Sequence, residues 1–98
     1  MKFLDKAIML CDSKNFMANQ AIEALYKVCQ KIQREYGKAG GEIGPTQKNV
    51  LSKAYDNVLD YHMDDYISKT EMRQVNNKCV EILKKELDEK QIRYLGFY

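Results

Sequence analysis

Asp60, His62, Asp64 and Asp65 are the one cluster in this 98-residue chain where side chains that could hold a metal crowd together. Ligands sharing a helix face must stand three or four positions apart. Asp60/Asp64 and His62/Asp65 meet that spacing, but the two pairs project in different directions. The Glu-x-x-His pattern with which helical bundles hold paired iron ions is missing. His62 continues an apolar stripe and reads as a packed or partly exposed histidine, and the aspartates read as a solvated face. Neither a metal nor a cofactor is expected.

Nucleophilic catalysis has little to build on. The chain has one histidine, and Cys11, Cys29 and Cys79 each fall at an apolar helical position, where thiols are buried and inert. An odd set without Cys-x-x-Cys or Cys/His spacing indicates neither a zinc site nor a disulfide framework. It points to a reducing compartment. Asp56, Asp60 and Asp64 repeat every four positions like an exposed face, not like a catalytic carboxylate pair, so no enzyme is expected. Gly40, Gly41 and Gly44 follow no strand and precede no Lys-Ser/Thr pair, which makes a phosphate-binding loop a poor reading.

Charge argues against nucleic acid. The formal net charge of +2 divides into +2 over residues 1–37, −2 over 38–67 and +2 over 68–98, with no concentrated basic face. The glycine-rich connection is also too long for a helix-turn-helix. Lys2, Asp5, Lys6 and Asp12 around a short apolar run argue against a signal peptide, and no apolar run approaches membrane-spanning length. A cytoplasmic protein without direct membrane insertion is expected.

One feature does suggest binding. Ile92-Arg93-Tyr94-Leu95-Gly96-Phe97-Tyr98 sets five large apolar side chains at the end of the chain, where they either fold back onto the body or meet a partner. The candidate partner-binding residues are Ile92, Tyr94, Leu95, Phe97 and Tyr98, with Tyr66 and Ile67 extending the surface.

The elements that position them follow from apolar periodicity. Ala18, Ile22, Leu25, Cys29, Ile32 and Tyr36 recur at spacings of four and three, widened by Ala21 and Val28. This seam predicts a helix over 16–36 against which the others pack, stopping at Gly37 as a C-terminal cap. A short helix is expected over 2–11. Residues 4, 8, 11, 15, 18 and 22 keep the phase of the long seam, so a single bent helix is the alternative. Asp12-Ser13-Lys14-Asn15, rich in residues that prefer caps, favours a break. Pro45 opens a third helix over 45–66, with a wide stripe from Val50 through Leu59 and Met63 to Tyr66. Ser68-Lys69-Thr70-Glu71 is a capping box that starts a fourth helix, over 69–91. Met72, Val75, Cys79, Ile82, Leu83 and Leu87 form its seam. The expectation is a single all-α domain over 1–98, an antiparallel four-helix bundle with a short first helix and an aromatic C-terminal tail over 92–98.

With these elements in place, the chain resembles the immunity proteins of pediocin-like (class IIa) bacteriocins along its whole length. The likeness lies in size, lysine content, four helices with a long second one, Gly44-Pro45 opening the third, the hairpin around Ser68, and the tail. Some members of that family end in a comparable Ile-Arg-Tyr or tyrosine-rich sequence. The glycine cluster at 40–44 and the acidic third helix have no counterpart in that likeness. The resemblance implies a non-enzymatic protector of a bacteriocin producer. Its partner would be the membrane permease component of a sugar phosphotransferase system, with bacteriocin bound, contacted by the tail and the hairpin from inside the cell. A small phage or mobile-element inhibitor that binds a host protein is the alternative.

Overall fold

A computed structural model of the chain describes residues 18–37 and 42–97. The expected helix over 2–11, its junction with the long helix, and Tyr98 lie outside the described residues. The elements among the described residues are all helices, with no strand. Helix α1 spans Ala18–Ile32 and runs on through a π-helical turn, Gln33–Gly37. Helix α2 is Pro45–Met63, α3 is Lys69–Leu83 and α4 is the short Glu89–Tyr94.

Helix α1 is the packing centre, as its seam predicts. It lies against both α2 and α3, which meet each other far less. Its buried face is Ala21, Leu25, Val28, Cys29 and Ile32, while Ala18, Ile22 and Tyr36 sit at the edge, half-buried. Ile22 is therefore less enclosed than its place in the seam predicts. The face turns because α1 serves two neighbours, so its burial centres between them.

Specific contacts fix the directions. The Gln47 side-chain amide donates to the Tyr36 hydroxyl at 3.0 Å, joining the end of α1 to the start of α2. Lys78 lies over the Tyr26 ring, Cys29 and Cys79 share a thiol hydrogen bond, and Gly37 abuts Glu86 and Leu87. Three contacts that advance together along α1 and the chain of α3 show the two running side by side in one direction.

Each boundary has a local cause. Pro45 occupies the first turn of α2, where its missing N–H costs nothing. Helix α2 ends at Met63, three residues before the expected Tyr66, because Asp65 adopts φ 66°. The Asp65 N–H donates to His62 O at 3.1 Å and the Tyr66 N–H to Tyr61 O at 2.9 Å, a Schellman stop with aspartate where glycine is usual. The His62 ring closes the same turn, its Nδ1 donating to the Ile67 carbonyl at 2.7 Å. The Ser68 capping box forms as expected: Ser68 Oγ accepts from the Glu71 N–H at 3.1 Å, and Glu71 Oε1 accepts from the Ser68 N–H at 3.4 Å.

The last third of the chain differs from the expectation. The helix expected over 69–91 stops at Leu83, and a turn through Leu87 leads to a second capping box. Asp88 Oδ1 accepts from the Gln91 N–H at 2.8 Å, and Gln91 Oε1 accepts from the Asp88 N–H at 3.1 Å. Helix α4 then ends on Gly96, at φ 98°, with another Schellman stop. Residues 92–97 are thus no free tail but a capped helix and its turn. Ile92 is fully buried and Leu95 nearly so, in one core with Leu51, Val58, Leu83 and Leu87.

Candidate functional site

The residues expected to meet a partner divide into a buried and an accessible set. Ile67, Ile92 and Leu95 are core residues and are withdrawn from the accessible surface. Their apolar side chains belong to the single core that also holds Leu51, Val58 and Leu83. Tyr66 and Tyr94 remain, 72% and 43% exposed, with Phe97 half-buried.

The accessible residues do not form one patch. Tyr94 receives the Lys48 ammonium over its ring, 4.5 Å from the centroid, in the first turns of α2. Phe97 packs edge-on against Tyr55 near the middle of α2, with ring centroids 5.9 Å apart and planes at 87°. Tyr66 follows the opposite end of α2 and packs edge-on against Tyr61, with centroids 6.1 Å apart. Lys48 and Met63 are separated by about 22 Å along a helix that rises 1.5 Å per residue. The hairpin and the last segment are therefore two separate sites on one helix.

Leu59 and Met63 are two further accessible apolar residues, 36% and 75% exposed. Both belong to the wide apolar stripe of α2. The stripe is wider than the face α1 covers, and the excess faces outward. Spacing alone could have marked them: Val50, Leu51, Ala54 and Val58 already fill a one-helix contact, leaving Leu59 and Met63 at its margin.

The accessible candidates carry aromatic and aliphatic side chains. The His62 ring is engaged by a backbone carbonyl, and among the described residues no three His, Cys, Asp or Glu side chains converge. The Cys29 thiol hydrogen-bonds Cys79 and is buried, and both effects push its pKa well above 9.0, so it stays neutral and unreactive. No described helix is long and apolar enough to cross a membrane. The chain matches no protein-family model, and comparisons with curated proteins and with solved structures find no match.

Proposed function

We propose that this chain is a non-enzymatic binding protein of the cytoplasm that confers bacteriocin immunity. Its target on this reading is the sugar-transport permease with bacteriocin bound. The binding role rests on one observation: Tyr66 and Tyr94 are held outward by capped, ordered turns while the core closes without them. Large aromatics fixed at a surface carry much of the energy of protein interfaces. The immunity role and the identity of the partner rest on the resemblance to pediocin-like immunity proteins. The finer architecture, an antiparallel four-helix bundle, belongs to the same proposal.

Deleting residues 92–98 is a poor test, because it strips Ile92 and Leu95 from the core. Tyr66→Ser and Tyr94→Ser leave the core intact. Full-length protein and both variants are expressed in a bacteriocin-sensitive strain and challenged with a panel of pediocin-like peptides. Wild-type protein should protect against at least one peptide, and a tyrosine variant of unchanged helix content and melting temperature should protect less. Variants that protect as well as wild type would remove the tyrosines from the mechanism. If wild type protects against none, immunity gives way to inhibition of a host protein by a phage or mobile-element product.

A further inference from the structure

One edge of α2 extends the surface of Tyr94 and Phe97 toward the C-terminal end of the helix. Tyr55, Leu59 and Met63 stand at i, i+4 and i+8, so they line one edge of the helix. The rings of Phe97 and Tyr94 are laid against the N-terminal part of that edge, on Tyr55 and Lys48. The outcome is an aromatic and aliphatic strip about 22 Å long, the length of a four-turn helix.

The charges beside the strip are uneven. Lys48 is engaged on Tyr94 at one end. At the other end Asp56 and Asp60 flank Leu59 and Met63 at i, i+3, and Asp64 follows. All three carboxylates are exposed, and none makes an ion pair among the described residues. Like charges four apart on a helix repel one another, so this edge gains from an incoming cation. From this pattern we infer that the α2 edge is a docking surface for a basic amphipathic helix of a partner protein. Apolar side chains of the partner seat along Tyr94, Phe97, Leu59 and Met63, and its lysines or arginines meet Asp56 and Asp60. This rests on the proposal that the chain acts by binding a protein, and it is independent of whether that partner is a permease.

The probe is a synthetic fifteen-residue amphipathic peptide of leucine and lysine, with its leucine–glutamate counterpart as control, titrated by calorimetry into the full chain. The protein's net charge is +2, so bulk attraction does not favour the lysine peptide. The lysine peptide should bind and the glutamate peptide should not. Asp56→Asn with Asp60→Asn should weaken binding about fivefold, as two exposed ion pairs warrant. Leu59→Ser with Met63→Ser should weaken it about tenfold or more. Glu81→Gln, on α3, should leave it unchanged. Equal binding of both peptides, or equal loss on Glu81→Gln, would overturn the inference. So would slow peroxide oxidation of Met63 in the free protein, which would show the edge already covered by the chain itself or by a second copy. Peptide binding without cell protection would refute the immunity proposal alone. Cell protection without peptide binding would refute this one alone.

Discussion

Gly37, where α1 ends, offers the sharpest test of the packing. A Cβ added there would stand 2.6 Å from Leu87 Cδ1, 2.9 Å from Glu86 Cβ and 3.0 Å from the Glu86 carbonyl carbon. Leu87 is buried, and the Glu86 contacts involve its stem and backbone, so no simple side-chain rotation clears the space. Either the turn after α3 or the π-helical end of α1 must shift. Overpacking of this kind costs about 1–3 kcal/mol. In a domain of this size each kcal/mol lowers Tm by about 4–8 °C, so Gly37→Ala should melt at least about 4 °C below wild type by circular dichroism. The sequence alone suggests a left-handed cap, but the φ of Gly37 lies outside that region. The two explanations rank substitutions oppositely. A left-handed cap accepts asparagine better than alanine, whereas a close approach penalises the larger side chain more. Gly37→Asn as stable as Gly37→Ala, or an alanine variant that melts like wild type, would refute the close approach.

Three further predictions follow from the turns and the core. Ser68→Ala and Asp88→Ala should each cost about 1 kcal/mol, with faster hydrogen exchange at the Glu71 and Gln91 amides respectively. Asp65→Gly should raise stability by about 0.5–1 kcal/mol in urea unfolding, because glycine adopts φ 66° without the strain aspartate bears. The Cys79 hydrogen bond and burial raise the Cys29 pKa in the folded state, so the native protein keeps a proton that the unfolded chain releases near 9.0. The resulting stability is fully present below that pH and is lost as pH rises above it, with Tyr26, also raised, adding the same sign. Urea midpoints should fall between pH 8 and pH 10, and less steeply in Cys29→Ala. Iodoacetamide should leave native Cys29 unmodified at pH 8.

What could be read without the fold is local. The seam of α1, the proline that opens α2 and the Ser68 box each depend on residues within a turn or two of one another, and helix geometry makes such relations explicit in the sequence. Asp88-Glu89-Lys90-Gln91 carried the same capping signal as Ser68, but Lys84-Lys85-Glu86-Leu87 before it and Glu89-Lys90 after it are strong helix formers that suggest continuity. Phase offered a second warning. Ile92 lies twenty positions after Met72, and at about 100° per residue it points roughly 200° away from it on a straight helix. Such a helix would hold Ile92 and Leu95 in water. Breaking it at 84–88 returns both to the core, and that burial outweighs the helical hydrogen bonds given up in the turn. The remaining features depend on partners distant in the chain. Gly37 needs its small size because Glu86 and Leu87 pass beside it, and Leu59 and Met63 face outward because α1 and α3 leave that edge of α2 uncovered. Periodicity shows which side chains share a face, but how many neighbours cover that face is settled by packing.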